Sequence, residues 1–257
     1  MLEIQNLCGG YSGKPVLHNI SLTAHKGKIT AILGPNGCGK STLLKTLCGI
    51  LPAADGQVLL DGQNILSLPP NILAQKAAYL AQSRQIPDIT VERLVLHGRF
   101  PYLSYPRRYR NEDYLAAEKA MKQMDILTLA DTPLNQLSGG QRQKVYIAMA
   151  LAQDTPVLLL DEPTTYLDIS HQLQMLRMAK QLAASGKHIL MVLHDLSHAL
   201  EIADQVMLMK EGHMAAQGSP EEVYSSDILD EVFGVRVSRM NTGRGWRYYC
   251  EERCPLI

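Results

Sequence analysis

The sequence predicts an α/β fold with a parallel central sheet, an antiparallel β subdomain and an inserted helical subdomain. Apolar runs of strand length occur at 29–33, 157–160 and 187–193, and each leads into a polar or glycine-rich segment. Such runs are typical of parallel strands that are buried on both faces. The residues at 2–7 alternate between apolar and polar, which indicates a half-buried strand, and helical periodicity occupies about 89–132.

Composition and charge exclude several classes of protein. At 257 residues the chain is long enough for one large α/β domain or for a domain with an inserted subdomain. Its 25 basic and 25 acidic side chains balance, so bulk charge selects neither nucleic acid nor an anionic membrane as the partner. No run of about 18 apolar residues is present, and the start lacks a basic segment followed by an apolar one. We therefore expect a cytosolic protein that does not span a membrane.

The five cysteines are scattered and give no disulfide framework, so reduced thiols are expected. Cys250 and Cys254 are four residues apart near the C-terminus. Two thiols without matching His or Cys nearby supply only half of the ligand set of a structural metal site. The sequence does not establish a role for this pair.

The N-terminal segment contains two predicted strands, Leu2–Leu7 and Val16–Thr23, separated by a glycine-rich break at 9–13. Tyr11 lies within the break. An aromatic side chain in a turn can stack on a purine ring, whereas an isolated tyrosine is more often a packing residue. The residues alone leave both roles open.

The strand at 29–33 leads into a loop that has the spacing of a phosphate-binding motif. The motif comprises Gly34, Pro35, Asn36, Gly37, Cys38, Gly39, Lys40, Ser41 and Thr42. The glycines let successive backbone N–H groups point at one anion, and the helix from Lys40 to about Ile50 adds its positive dipole end. Lys40 is placed to reach the β- and γ-phosphates of a nucleoside triphosphate, and Ser41 to put its hydroxyl on Mg²⁺.

Cys38 lies inside this loop, close to backbone donors and to Lys40. These surroundings are expected to favour the thiolate. We therefore expect thiol reagents to inhibit hydrolysis by modifying Cys38, and bound nucleotide to protect it.

Two further strands follow the first helix, which Pro52 is expected to stop. Residues 56–62 indicate an edge strand that ends in an Asp-Gly turn, and residues 77–81 indicate a short strand. The second strand ends on Gln82, whose amide is either a metal ligand or an ordinary loop group. From spacing alone, the ordinary loop amide is the favoured role.

The helical pattern at 89–132 predicts an inserted subdomain, which we place at about 89–155. Between its helices, residues 99–110 are basic with interleaved aromatic side chains. Such a mixture can bind single-stranded nucleic acid. In a short segment of a neutral chain we favour a solvated loop.

A second candidate anion site lies far along the chain from the first. Ser138, Gly139, Gly140 and Gln141 precede a predicted helix at 142–153, with Ser138 as its N-cap. Two glycines beside a helix start expose backbone N–H groups to an anion.

The strand at 157–160 ends in two adjacent carboxylates, Asp161 and Glu162. Opposite a phosphate loop, Asp161 would hold the Mg²⁺ shell, and Glu162 would orient or deprotonate the attacking water. A helix at about 170–184 follows Asp168, and the next strand ends at His194. Because parallel strands deliver their carboxyl ends to one crevice, His194 is a candidate contact for the γ-phosphate.

Together the phosphate loop, the segment from Leu137 to Gln141, the strand ending in Glu162, Asp168 and His194 resemble the ATPase subunit of the ATP-binding cassette (ABC) family. The match covers nearly all of residues 1–225, so the cassette is placed at 1–235 and a tail at 236–257.

The resemblance implies a role for each matching position. Tyr11 corresponds to the aromatic residue that stacks on adenine, and Gln82 to the glutamine that couples Mg²⁺ to a transmembrane partner. Ser138 to Gln141 correspond to the signature loop, Glu162 to the catalytic base, and His194 to the switch histidine. Asp168 corresponds to an aspartate at the dimer contact. Tyr166 departs from the pattern, because many members have a smaller residue before the Leu-Asp pair, which leaves the contact around Asp168 less defined.

The segment from Thr90 to Tyr102 looks like that of ATPases that serve importers of iron-siderophores, haem and cobalamin. The chain is also too short at its end for the regulatory domain of sugar-importer ATPases. A soluble ABC ATPase of iron–sulfur cluster assembly, or an importer of another metal or small solute, is the alternative. A translation-associated protein would carry two cassettes, and a repair ATPase would need a long coiled coil.

The resemblance also implies cofactors and partners. The cofactors are ATP and Mg²⁺. The partners are a second copy in a head-to-tail homodimer, two transmembrane permease subunits and, indirectly, a substrate-binding protein, with no nucleic acid. The expected location is the cytoplasmic side of the cell membrane, as a peripheral subunit.

Overall fold

The computed structural model describes residues 1–11, 14–82, 86–165, 167–243 and 245–252, which form twelve strands and nine α-helices. The strands are β1 (Leu2–Tyr11), β2 (Lys14–Ala24), β3 (Ile29–Leu33), β4 (Ala53–Leu60), β5 (Gln63–Asn64), β6 (Ala77–Leu80), β7 (Val157–Asp161), β8 (His188–Val192), β9 (Gln205–Lys210), β10 (His213–Gly218), β11 (Val235–Asn241) and β12 (Trp246–Glu252). The helices are α1 (Lys40–Leu47), α2 (Pro70–Leu73), α3 (Val91–His97), α4 (Asn111–Gln123), α5 (Gly139–Ala152), α6 (Ile169–Ala184), α7 (Leu196–Ile202), α8 (Pro220–Ser225) and α9 (Ile228–Phe233).

The central sheet has six strands in the order β10-β9-β3-β8-β7-β6. Its five strands from β9 to β6 are parallel, and only the edge strand β10 is antiparallel. The predicted parallel sheet is therefore confirmed. Because the strands are parallel, the carboxyl ends of β3, β6, β7 and β8 lie along one edge, where a ligand crevice forms in sheets of this type.

This sheet is buried on both faces, which explains the continuous apolar runs. Along β7, Leu158 and Leu160 pack into one core, whereas Val157 and Leu159 pack into another. The first core contains side chains from α3 to α9, and the second contains side chains from α1 and the antiparallel sheet. The alternation follows from the two-residue period of a strand.

The antiparallel sheet, in the order β2-β1-β4-β5, differs from the sequence prediction in two ways. First, β1 does not break at its glycines but continues to Tyr11, which pairs with Lys14. A Cβ atom at Gly10 would lie 2.3 Å from the Lys14 carbonyl oxygen, so glycine is needed for close pairing rather than for a turn. Second, β4 is not the edge strand, because β5 pairs with it.

Two contacts stabilise the helical insertion, one at its start and one in its interior. Thr90, at the start of the insertion, forms an antiparallel bridge with Pro133, which precedes α5. Inside, Arg99 Nε lies 3.0 Å from Asp113 Oδ1, and the Arg99 guanidinium also donates to the carbonyl oxygen of Ala152. Asp113 is only 2% exposed. One buried ion pair therefore joins the end of α3 to the start of α4 and the end of α5.

The described part of the segment that the sequence analysis treats as a tail is a β-hairpin. Strands β11 and β12 pair in register and β12 packs on α7, with the Arg247 guanidinium paired to Glu201. Tyr248 is buried against Tyr224. Cys250 lies exposed on β12, and Cys254 lies outside the described residues. Among the described residues, no helix combines the length and apolar character that a membrane crossing requires.

Candidate nucleotide site

Backbone geometry shapes the loop that follows β3. Gly34 has φ 151°, and a Cβ atom there would lie 2.3 Å from the carbonyl oxygen of Met209. Gly39, the N-cap residue of α1, has φ 105° and offers no side chain to the helix N-terminus. The first N–H groups of α1 therefore have no capping side chain, which is the arrangement of an anion site. Both positions require glycine.

Lys40 is folded against this loop. Its Nζ donates to the carbonyl oxygens of Gly34 at 2.7 Å and of Pro35 at 2.9 Å, and the residue is 6% exposed. These bonds hold a buried cation beside the N-terminus of α1, where two sources of positive potential coincide.

The surroundings of Cys38 do not favour the thiolate that the sequence analysis expects. Cys38 is 4% exposed, and burial raises the pKa of its thiol, although Lys40 Nζ, 4.0 Å from Sγ, acts in the opposite direction. Desolvation outweighs the nearby charge because the thiolate would lose hydrating water in this buried position. Cys38 packs in the second core as a small apolar residue.

Asp161 ends β7 and is held by two hydroxyl groups. Ser41 Oγ lies 3.0 Å from its Oδ1, and Tyr79 OH lies 2.8 Å from its Oδ2. Burial raises the pKa of Tyr79, and the Asp161 charge raises it further. Asp161 is 2% exposed, and none of the ion pairs formed by the described residues includes it.

Glu162 is the centre of a second cluster. His194 Nε2 lies 2.5 Å from its Oε1, and the Gln82 amide donates to its Oε2. Thr165 Oγ1 also lies 3.3 Å from Oε2. Glu162 has φ 50°, a conformation that non-glycine residues rarely adopt and that is often found at functional sites. Three strand ends therefore converge on one carboxylate.

These groups surround one cleft of about 480 Å³. Its lining includes Tyr11, Val16, Asn36, Gly37, Gly39, Lys40, Ser41, Thr42, Gln82, Glu162 and His194. Most of the predicted site residues thus share one site, with Asp161 attached to it through Ser41. Tyr11 is half exposed at the rim, available to a planar ligand group.

Ser138 to Gln141 and Asp168 do not line this cleft. Ser138 is the N-cap of α5, as predicted: its Oγ accepts from the Gln141 N–H, and Gln141 Oε1 accepts from the Ser138 N–H. This reciprocal capping box occupies the Gln141 side chain. Gly139 is exposed, and a Cβ atom there would meet nothing within 4 Å. The loop is therefore open on the surface of the chain.

Asp168 has a local role that the sequence analysis missed, as N-cap of α6. The backbone N–H of His171, the His171 side chain and the Ser170 hydroxyl together lower the pKa of Asp168 to about 2. The His171 ring also lies beside the signature loop, 3.5 Å from where a Cβ of Gly140 would be. Tyr166 lies outside the described residues.

The sequence analysis also missed Tyr79 and Thr165. Tyr79 lies on β6, three residues before Gln82, which follows that strand, and Thr165 lies three residues after Glu162. Both contacts depend on tertiary placement. The available signal was the position of each residue next to a strand end that carries a predicted site residue.

A family model described as ABC transporter matches residues 17–165, more than half of the chain. The chain belongs to the ABC transporter family. The ferric enterobactin transport ATP-binding protein of Escherichia coli is 43% identical over 237 residues, which cover 91% of this chain and 88% of that protein. The iron(3+)-hydroxamate import ATP-binding protein of Bacillus subtilis is 42% identical, with 91% and 88% covered. The hemin import ATP-binding protein of Streptomyces coelicolor is 40% identical, with 86% and 79% covered.

Solved structures agree with this assignment. A nucleotide-free ATP-binding cassette from an ABC transporter superposes with a TM-score of 0.81 at 26% identity, covering 91% of this chain and 97% of that one. A dimeric ATP-binding cassette bound to ADP and phosphate superposes with a TM-score of 0.73 at 27% identity, covering 86% and 99%. The cassette fold is confirmed, and the chain is an ATP-binding, ATP-hydrolysing subunit of this family.

Proposed function

We propose that this ABC ATPase powers the import of an iron-siderophore, haem or cobalamin through a separate membrane permease. The observation that carries the ATP-driven part of the proposal is the convergence of the phosphate loop, Gln82, Glu162 and His194 on one cleft. Gln82 joins the catalytic carboxylate to the segment that leads into the helical insertion. The cleft therefore has both a hydrolytic centre and a path by which its state can reach a partner.

Mg²⁺ fits the residues beside the phosphate loop. Asp161 is a buried carboxylate with no cationic partner among the described residues, and a hydroxyl from Ser41 is bonded to its Oδ1. A buried unpaired charge is costly, so a cation is expected to offset it. Mg²⁺ commonly uses one or two protein carboxylates together with substrate phosphates and water. Ser41, Asp161 and Gln82 would hold it, and it would neutralise charge on the phosphates.

We assign Glu162 as the general base, Lys40 as the phosphate-binding cation and His194 as a catalytic contact of the γ-phosphate. Glu162 lines the cleft opposite the N-terminus of α1 and is held by two neighbouring side chains. A base in this position can orient a water molecule and accept its proton as the water oxygen bonds to the γ-phosphorus and ADP leaves. His194 fixes the Glu162 carboxylate from the end of β8.

The second anion site supports a homodimer. Ser138, Gly139 and Gly140 lie away from the cleft of their own chain, with the backbone at Gly139 open. We propose that they contact ATP held by a second copy, so that a two-fold, head-to-tail dimer contains two composite sites. The dimeric cassette that superposes on this chain supports the arrangement. Asp168 lies beside this loop through His171 and would be near the dimer contact.

The import assignment and its substrate class rest on the relatives. They are named for ferric enterobactin, iron(3+)-hydroxamate and hemin, and the proposal carries iron-siderophore and haem import to this chain from them. Cobalamin rests on the resemblance of the segment from Thr90 to Tyr102. The same names favour an importer over the iron–sulfur assembly ATPase. Two permease subunits and a substrate-binding protein would complete the system, with this subunit peripheral on the cytoplasmic face. ATPase activity should rise with the permease and a loaded binding protein, because only a differential interaction shifts a conformational equilibrium.

Deletion of the gene tests the proposal. Uptake of labelled iron-siderophore, haem and cobalamin is measured in the deletion strain and after complementation with wild type, Glu162→Gln or Glu252→Gln. Glu252 is an exposed residue of the hairpin and supplies a matched carboxylate-to-amide change. Wild type and Glu252→Gln should restore the uptake of one ligand class, and Glu162→Gln should not. Unchanged uptake of all three ligands in the deletion strain would contradict the proposal.

A further inference from the structure

Tyr79 makes a contact that its sequence position does not suggest. It lies on β6, which pairs in parallel with β7 so that Tyr79 is opposite Leu159. Its hydroxyl group nevertheless reaches two residues further along β7 and lies 2.8 Å from Asp161 Oδ2. Packing alone would need the ring and not the hydroxyl, since the half-buried ring contacts the second core.

The two oxygens of Asp161 therefore have different neighbours. Oδ1 lies 3.0 Å from the Ser41 hydroxyl, on the side of the phosphate loop, and Oδ2 is bonded to Tyr79 on the side of β6. A carboxylate has two oxygens that both accept, and a donor on one of them fixes the direction of the other. In metal sites, the protein groups that bond to the ligating side chains set their orientation and affect affinity strongly.

We propose that Tyr79 is a positioning residue for the metal-binding carboxylate. Its hydroxyl group holds Asp161 Oδ2 so that Oδ1 remains directed at Ser41 and at the divalent cation beside the phosphate loop. The inference rests on the Mg²⁺ site proposed above and assigns to it a residue from the strand that leads to Gln82. β6 and the residues just after it thus support both carboxylates, Asp161 through Tyr79 and Glu162 through Gln82.

The test compares the affinity for a non-hydrolysable ATP analogue with Mg²⁺ and with EDTA, on the same sample of purified full chain. In wild type, Mg²⁺ should raise the affinity. In Tyr79→Phe this gain should fall roughly tenfold, while the affinity in EDTA stays the same. Because both affinities of a variant are measured on one sample, any unfolded protein affects both equally and leaves their ratio unchanged. Mn²⁺ binding, measured by electron paramagnetic resonance, should weaken by a similar factor.

Tyr102→Phe is the matched control, because it removes a tyrosine hydrogen bond of the same 2.8 Å length, to the carbonyl oxygen of Gln153 outside the cleft. It should leave the Mg²⁺ gain at the wild-type value. A second variant, Tyr79→Leu, should lose as much of the gain as Tyr79→Phe, because both lack the hydroxyl group.

Three results would overturn the inference. The first is an unchanged Mg²⁺ gain in Tyr79→Phe, and the second is an equal loss of affinity with Mg²⁺ and with EDTA, which would indicate a packing role alone. The third is a wild-type chain that binds the analogue equally well in Mg²⁺ and EDTA. Only the third would also remove the proposed Mg²⁺ site, so the two failures are distinguishable.

Discussion

His194 Nε2 lies 2.5 Å from Glu162 Oε1, and the two residues follow adjacent parallel strands, β8 and β7. The other carboxylate oxygen of Glu162 accepts a hydrogen bond from Gln82, which follows β6. A single buried carboxylate thus joins the ends of three strands. Displacement of any one of these ends would change the position of the proposed base relative to the phosphate loop.

Glu162→Gln should separate chemistry from binding. An amide has nearly the same size as the carboxylate but cannot accept a proton, so turnover should fall by roughly 100-fold or more. ATP affinity should remain close to wild type, because Lys40 and the N-terminus of α1 are untouched. Lys40→Ala should weaken ATP binding as well as turnover, since it removes the buried cation. Equilibrium nucleotide binding and steady-state hydrolysis measure the two effects.

Glu252→Gln is the control for this pair of variants and should behave as wild type. Normal turnover in Glu162→Gln would contradict the assignment of the base. If Glu162→Gln lost as much ATP affinity as Lys40→Ala, the carboxylate would contribute to ATP binding rather than only to the chemical step.

ATP should convert Glu162→Gln from monomer to dimer in light scattering. The proposed composite site requires the signature loop of a second copy, and the blocked hydrolysis keeps ATP in place. Ser138→Arg, added to Glu162→Gln, should prevent the conversion because it places a large cation in the loop. Ser219→Arg in the same background is the matched control, since Ser219 forms an equivalent capping box on α8. A chain that stays monomeric with saturating ATP would count against the composite site.

Most of the site could be predicted because each of its parts is a short motif or a single residue at the end of a predicted strand. The phosphate loop and the Asp161-Glu162 pair each carry their own spacing, and His194 is identified by the strand before it. The apolar runs also predicted the bounds of β3 and β7 closely. Strands that are buried on both faces are apolar along most of their length, so their ends are clear in the sequence.

Long-range contacts could not be predicted in this way. The bond from Tyr79 to Asp161 joins residues 82 apart, and it exists only because β6 pairs with β7. The expectation of a thiolate at Cys38 missed a long-range effect in the same way. Local sequence shows the Lys40 charge but not the burial that raises the thiol pKa. The hairpin of β11 and β12 was missed because each strand buries a single residue, Val237 or Tyr248, and therefore lacks the clear alternation of a half-buried strand.

Gly98→Ala should destabilise the helical insertion. A Cβ atom at Gly98 would lie 2.1 Å from the carbonyl oxygen of Met149, so α3 and α5 must move apart to admit a methyl group. We expect a loss of about 1–3 kcal/mol in the free energy of unfolding, the usual cost of overpacking. Urea unfolding followed by circular dichroism measures it.

Gly139→Ala is the matched control for stability, because a Cβ atom there would meet nothing within 4 Å. Its free energy of unfolding should differ from wild type by much less than that of Gly98→Ala. Equal stability of Gly98→Ala and wild type would show that the two helices tolerate a wider separation.

Cys38 should be alkylated slowly in the folded chain. Only the thiolate reacts, and a raised pKa means that less thiolate is present at neutral pH than in an ordinary thiol. The rate at Cys38 should therefore rise with pH, with its inflection above that of the same thiol in the urea-unfolded chain. Isotope-labelled iodoacetamide and peptide-resolved mass spectrometry compare the two states of one residue, so the unfolded chain is an internal control. If Cys38 were labelled faster in the folded chain than in the unfolded chain at neutral pH, Lys40 would outweigh burial, and the activated thiolate expected from the sequence would be correct.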